Sequence, residues 1–507
     1  MIRRLALIAA LLSTHIAGAQ APIVRLDDAG PGLGPSILAG ALARPHTVVP
    51  PGPDPYVVGR TSTAPRSLVV LGRDVLVEGH VNGDVIVVDG DLYMHPGGVV
   101  DGRAMAFGGG VYESTFGVIR GDRRAFRAFT YDISPVDGGW SLRYRPLLPD
   151  AQGGWSLPGV FGITMPLYDR SNGVSLGVAP RYAGPGTSLV LTPRVTYRSQ
   201  LGEVDPSLRV EYAPDRRTQI VAIAERSTLS NDRWIRGDLL NSAQFLYDGN
   251  DARNYYRASY ADARIDRHWE SVHGDVAPYV GARFERSQSV RPGPLATGGP
   301  WTLFDRDDDG RDDRLRENPA IDAGDIASGL LGAVWTWSDD RFHSRLGVDG
   351  EVGRFSSRDL LPSVGDRATF GQATIDGTVE FATFADQTLL VAGHFVASTT
   401  GNTPRQRFAY VGGPGTIPTR ALLEDGGNQL VFVDARYRIP VKWFTLPYLG
   451  APTVTIREIL AGADVDRFPD IHQAIGGRLS LKFAYVELLV NPENGQSRGG
   501  IGLSLSP

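Results

Sequence analysis

From about residue 189 onward the chain repeats one pattern, in which apolar side chains fall at every second position with charged or small polar ones between them. In SLVLTPRVTYRS, Leu189, Leu191, Val195 and Tyr197 oppose Thr192, Arg194, Thr196 and Arg198. In DPSLRVEYAP, Leu208, Val210 and Tyr212 oppose Ser207, Arg209 and Glu211. APYVGARFER sets Val280, Ala282 and Phe284 against Tyr279, Gly281, Arg283 and Glu285, and GGRLSLKFAY sets Leu479, Leu481, Phe483 and Tyr485 against Arg478, Ser480 and Lys482. A period of two belongs to strands whose two faces meet different surroundings. Arginines repeated along one face are costly in a sandwich core and suited to a wet lumen. Residues 159–507 divide into about 16 candidate strands, a number typical of bacterial barrels. After about residue 125 no helix of convincing length or periodicity is predicted. The expected fold class is therefore all-β, a transmembrane antiparallel β-barrel. A large soluble sandwich with its arginines on a solvated outer face is the alternative.

A different pattern precedes the barrel. Residues 67–116 carry short Val/Leu groups between turns at Gly72, Gly79, Gly83, Gly90, Gly97 and Gly102. Strands so brief cannot bury a face alone, which predicts a short β-helix-like domain whose rungs stack. A small β-meander remains the alternative. Residues 20–66 are rich in proline and glycine and read as an extended linker, and residues 117–158 as a connecting β segment. The first 19 residues place Arg3 and Arg4 ahead of an apolar run from Leu5 to Leu12 and a small-residue site at Ala17, Gly18 and Ala19. They read as a secretory signal peptide cleaved before Gln20.

Composition narrows the classes further. With no cysteine in the chain, disulfides, thiol catalysis and a lipoprotein anchor fall away. No later run approaches the roughly 20 apolar residues of a spanning helix, so a membrane role would have to come from strands. The formal net charge is −5 with no basic stripe, so no nucleic-acid partner is expected.

The most informative segment, residues 405–440, reads RQRFAYVGGPGTIPTRALLEDGGNQLVFVDARYRIP. Its glycine-rich loop runs into a strand with Val431, Val433, Ala435, Tyr437 and Ile439 on one side and Phe432, Asp434, Arg436 and Arg438 on the other. The opening Gly412, Gly413, Gly415 and Thr416 and the strand 435–440 resemble the C-terminal barrel of the bacterial surface-antigen superfamily, which includes barrel-assembly and two-partner-secretion transporters. Residues 459–465 (ILAGADV) and 249–267 (GNDARNYYRASYADARIDR) extend the resemblance over roughly the C-terminal half of the chain. It implies a loop folded into the lumen, with Arg420 as its luminal arginine and Arg436 and Arg438 lining the lumen. It further implies transport or insertion of a polypeptide or lipid-linked substrate, with outer-membrane lipid and the barrel-assembly machinery as partners. Where the family has an Arg-Gly-aromatic loop tip, this chain has Ile417, Pro418, Thr419, Arg420 and Ala421. The family's periplasmic α/β modules are not visible between residues 20 and 125. Residues 67–116 instead resemble the polymer-forming bactofilin type of β-helix, implying a periplasmic domain that scaffolds or self-associates. A non-transporting envelope anchor and a passive pore therefore stay open. The ending SRGGIGLSLSP fits an assembly signal at Arg498, Gly500 and Leu503, with Leu505 where an aromatic residue usually stands.

Candidate chemistry is sparse. In FDRDDDGRDDR, Asp305, Asp307 and Asp309 alternate before Gly310, as in Ca²⁺ loops, and Asp313 could add a ligand. The twelfth position holds Arg316 rather than Glu, and a merely solvated acidic loop is the alternative. His268 and His273, five apart on a strand, fall on opposite faces. No phosphate-binding loop and no G-x-S-x-G elbow occurs, so no enzyme activity is expected.

Overall fold

In a computed structural model the described residues run from 23 to 503. They omit 31–32, 114–116, 128, 147–153, 159–160, 185–187, 215–216, 271–273, 292–299, 305–315, 339–340, 359–364, 366, 385–386, 442–450 and 482–483. The chain forms two compact units, residues 1–147 and 148–507.

The first unit is a three-sided parallel β-solenoid. One side stacks His46–Val49, Ser67–Leu71, Val85–Val88, Ala104–Phe107 and Arg123–Phe126. The second stacks Tyr56–Val58, Val75–Val77, Leu92–Met94 and Val111–Glu113, and the third Thr63–Ala64, His80–Val81, Val99–Val100 and Val118–Ile119. The first side reads as continuous apolar runs (SLVVL, VIVV, AMAF) because both of its faces are buried. Leu68, Val70, Val85, Val87, Ala104 and Ala106 point into the solenoid core. Val69, Leu71, Ile86, Val88, Met105 and Phe107 pack outward against helix α1 (Leu33–Leu42) and the hairpin Phe129–Val136/Gly139–Pro146. An aspartate ladder holds one corner: the Asp74 N–H donates to Asp54 Oδ1 at 2.7 Å and the Asp91 N–H to Asp74 Oδ1 at 2.8 Å.

These boundaries differ from the sequence expectation. A full rung at residues 46–64 lies inside the stretch read as linker, and the last strand of the stack, Arg123–Phe126, lies beyond residue 116. Pro45, Pro50, Pro51, Pro53, Pro55 and Pro65 sit at the corners of that first rung and beside its strands, which pair on one side only and so tolerate residues that cannot donate, while Pro35 lies in the first turn of α1.

Among the described residues the second unit is one antiparallel sheet of 19 strand segments, several only two or three residues long. Its longer strands are β1 (Leu189–Arg198), β2 (Glu203–Tyr212), β3 (Thr218–Leu229), β4 (Tyr256–Arg267), β5 (Gly274–Ser289), β6 (Gly324–Ser338) and β7 (Phe342–Ser357). β8 (Arg367–Ala382), β9 (Thr388–Ser398), β10 (Gln429–Pro440), β11 (Thr453–Asp464), β12 (His472–Leu481), β13 (Ala484–Val490) and β14 (Ser497–Leu503) complete it. Each pairs with its sequence neighbour, as in an up-and-down barrel. The barrel sheet begins at Gly154–Ser156, slightly before residue 159.

The polarity of this sheet is inverted relative to a soluble protein. On β13 Leu488 is 55% exposed while Glu487 is 8% exposed, and on β11 Ile456 is 53% exposed while Arg457 is 4%. The same alternation sets exposed Val280 and Phe284 against buried Glu285 and Ser287 on β5. At these positions the apolar side chains face outward and the charged ones are enclosed. Among the described residues, α2 (Asp238–Asp248) departs from the all-strand expectation for this region: it lies between β3 and β4 and ends on Gly249 at φ 76°. It is eleven residues long, too short for its periodicity to stand out against alternating neighbours.

Candidate functional site

The connections after β3, β5 and β9 leave the sheet on one edge, because these strands run in the same direction. Their described residues fold back and interlock, as in the bonds Tyr255–Asn318, Arg405–Asp322 and Arg236–Pro414. The connection after β9 is the centre of this assembly. It makes a short turn at Arg405–Arg407, a hairpin pairing Ala409–Val411 with Asp425–Gly427, and a tip over residues 412–424.

The tip takes its shape from its glycines. Gly412, Gly413 and Gly415 have φ of 131°, 75° and 109°, conformations that side chains rarely adopt. A Cβ on Gly412 would stand 2.2 Å from the Ala421 carbonyl oxygen. Thr416, fully buried, accepts the Gly412 N–H at 2.8 Å through Oγ1. Ala409, Val411 and Ile417 pack against Leu430, Phe432, Ile459, Ala461, Ala474 and Leu489 on β10–β13. Trp234, from the connection after β3, stacks on His394 of β9 with ring centroids 4.2 Å apart.

The polar side of the loop is tied to the opposite arc of the sheet. Arg407, 4% exposed, donates to Glu351 Oε2 on β7 at 2.8 Å and to Glu285 Oε2 on β5 at 3.0 Å. Both partners come from the enclosed face, and the cluster carries two carboxylates against one guanidinium. Gln406 donates to Ser287 Oγ at 3.0 Å. Asn231 donates to the Gln406 and Phe408 carbonyls at 2.7 and 2.9 Å, and Arg236 to the Pro414 carbonyl at 2.6 Å. Asp232 accepts the backbone N–H of Asn254 at 2.8 Å and of Tyr410 at 3.2 Å. Burial pushes the Asp232 carboxyl up to about 7, against these N–H groups and the charges of Arg316 and Arg253, which pull it down.

The sequence-derived residues divide. Gly412, Gly413, Gly415 and Thr416 build the tip. Arg420 does not reach the wall: it pairs within its own hairpin, donating to Asp425 Oδ1 at 2.7 Å and lying 3.2 Å from Glu424. The arginine that engages the strands is Arg407, thirteen residues earlier in the same segment. It was missed because nothing local distinguishes Arg405 from Arg407, and the carboxylates that select one lie 122 and 56 residues away. Arg436 and Arg438 do sit on the enclosed face. Arg436 donates to Asp434 at 2.6 Å and Arg438 lies 3.4 Å from Glu380. Around Asp434 the network continues through Arg457 (2.7 Å) to Glu487 (2.9 Å), and from there to Arg478 (2.6 Å). Asp305, Asp307, Asp309 and Asp313 lie outside the described residues. Among the described residues no group of three or more His, Asp or Glu side chains is placed to hold a metal ion.

No protein-family model and no curated protein matches the chain. Among solved structures, the chain is similar to CdiB from Escherichia coli at 12% identity, covering 74% of this chain and 67% of that one, with a TM-score of 0.39. It is also similar to BamA from Haemophilus ducreyi lacking POTRA domains 1–3, at 10% identity, 74% and 73% coverage and a TM-score of 0.42. CdiB from Acinetobacter baumannii follows at 10% identity, 74% and 65% coverage and a TM-score of 0.35. At these scores the likenesses bear on neither substrate nor mechanism, and the barrel assignment rests on the sheet's own pairing and inverted polarity.

Proposed function

We propose that the protein is an outer-membrane β-barrel that moves or inserts a polypeptide or lipid-linked substrate at the membrane, with the 399–428 loop as its movable luminal element. The observation that carries this reading is the enclosed charge. A soluble sheet would not bury Arg407, Glu285, Arg457 and Asp434 while exposing Leu488, Ile456 and Phe284. Residues 1–19 would direct export and the solenoid would stand in the periplasm. The bactofilin-like character of that solenoid belongs to the same proposal, as do insertion by the barrel-assembly machinery and self-association through the solenoid. A loop held by ion pairs at one flank and an apolar cluster at the other has two separable attachments, which suits an element that must release. The second reading, a non-transporting anchor, draws on the completeness of the solenoid core.

Folded into detergent, residues 20–507 should migrate faster on a gel before boiling than after, since a closed sheet without an edge resists detergent. In planar bilayers, deleting residues 412–424 should raise conductance. A chain that stays soluble without detergent and shows no heat shift would sink the barrel proposal. A heat shift with conductance unaffected by the deletion would leave the barrel and remove the loop's role.

A further inference from the structure

On the outward face of β2–β6, below the edge from which the long loops emerge, the sheet carries a concave pit of about 660 Å³. Its floor is made of alanines in register across neighbouring strands. Ala224 lies opposite Ala261, and Ala222 opposite Ala263, which faces Ala282 on the next strand. Half-exposed Leu208 and Phe284 wall it at the two ends of the first of these rows. The second row ends at Gly329, opposite Ala282, where an added Cβ would meet nothing within 4 Å. Elsewhere the same face carries large residues such as Val352, Leu479 and Val486, so the pit is a local feature.

Two residues farther along each strand, on the same face and about 7 Å away, stands a row of different chemistry. Arg226 of β3 is opposite Ser259 of β4, which is opposite Arg286 of β5. The side chains of Arg226 and Arg286 are 42% and 54% exposed. Each belongs to a cluster with one positive charge in excess. Arg198, Arg226 and Arg257 share Glu203 and Asp205, and Arg286 and Arg358 share Asp325. An apolar pit of small-ligand size, topped by a hydroxyl between two part-exposed guanidiniums with surplus charge, matches one amphiphile: an acyl chain joined to a phosphate.

We propose that this surface is a binding site for a single anionic phospholipid, with its phosphate held between Arg226 and Arg286 beside Ser259 and one acyl chain filling the alanine pit. The proposal rests on the outward face meeting the bilayer and adds to that reading a position, a headgroup charge and a stoichiometry.

The test uses the full mature chain in phosphatidylcholine vesicles doped with phosphatidylglycerol that carries a photoreactive diazirine on one acyl chain. Adducts are mapped by mass spectrometry. Adducts should concentrate on β3–β5 over outward positions of β12 and β13, such as Leu479 and Val486. Arg226→Gln and Arg286→Gln should each lower the β3–β5 yield about fivefold, the worth of one guanidinium near an anionic lipid surface, and leave β12–β13 unchanged. Gly329→Val or Ala263→Phe should abolish the β3–β5 excess by filling the pit. Should Ala263→Phe fail to fold, the two exposed arginine variants still decide. Equal labelling of β3–β5 and β12–β13, or an undiminished excess when the probe is a phosphatidylcholine, overturns the phospholipid site while leaving the barrel intact. Absence of adducts on every outward strand overturns the bilayer-facing assignment itself.

Discussion

The tether between Arg407 and the barrel wall gives the sharpest prediction. Replacing Arg407 with Met keeps most of the volume of the stem and removes the guanidinium that donates to Glu285 at 3.0 and 3.2 Å and to Glu351 at 2.8 and 3.0 Å. The two carboxylates then lose the guanidinium that bonds both of them, and Glu285 is completely buried. Removing one partner of a buried ion pair costs about 3–5 kcal/mol. At about 1.4 kcal/mol per factor of ten, the docked loop should open roughly two to three and a half powers of ten more often. Backbone amide exchange of residues 405–428 reports this directly, with the strand amides of β5 and β7 as an internal standard. Arg420→Met is the paired control. Arg420 is part-exposed and bonded only inside its hairpin, so about 1 kcal/mol or less is expected. If Arg407→Met leaves loop exchange unchanged, or if Arg420→Met accelerates it as much, the assignment of the tether to Arg407 is wrong.

Other expectations test the remaining parts. Gly412→Val forces a side chain into the Ala421 carbonyl at a φ of 131°, so the tip should become a site of protease cleavage while the heat-shifted gel band persists. Asp232 holds its proton in the folded loop up to about 7, whereas the unfolded carboxyl releases it near about 4. Between those values the folded state binds more protons, so loop docking should weaken as pH rises through this window. Loop exchange that slows over the same interval would contradict the burial of that carboxyl. Leu92→Ala empties a fully buried solenoid position and should destabilise residues 23–146 by about 2–5 kcal/mol, measured by denaturant unfolding of that unit, with the barrel's heat shift unchanged.

Much of this architecture is legible in the residue pattern, for reasons that differ between regions. The alternation in segments such as APYVGARFER is local, so strand identity and facing could be read without knowing any partner. The glycine tip was equally readable, because Gly412, Gly413 and Gly415 mark backbone that other residues avoid. The first solenoid rung was hidden by its prolines. They signal a linker when read alone, and only the stack of strands above them shows that they occupy corners and an unpaired edge. The choice of Arg407 over Arg420 was hidden for a different reason. A buried ion pair is selected by carboxylates distant in sequence, and Arg405, Arg407 and Arg420 offer no local sign of which will meet them. α2 escaped because a helix of three turns between strands has too few apolar positions to establish a period.

In the proposed barrel the apolar face of the sheet meets lipid and the charged face is enclosed. Because the chain has no cysteine, single cysteines can be placed along β7 at positions 348 to 353 and spin-labelled in reconstituted vesicles, and their relaxation by oxygen and by a water-soluble nickel chelate compared. A period of two is expected, with labels at Val348, Gly350 and Val352 relaxed by oxygen and shielded from the chelate, and the intervening positions showing no such lipid signature. Labels at 348, 350 and 352 that the chelate reaches freely would place this face in water and overturn the lipid-facing orientation.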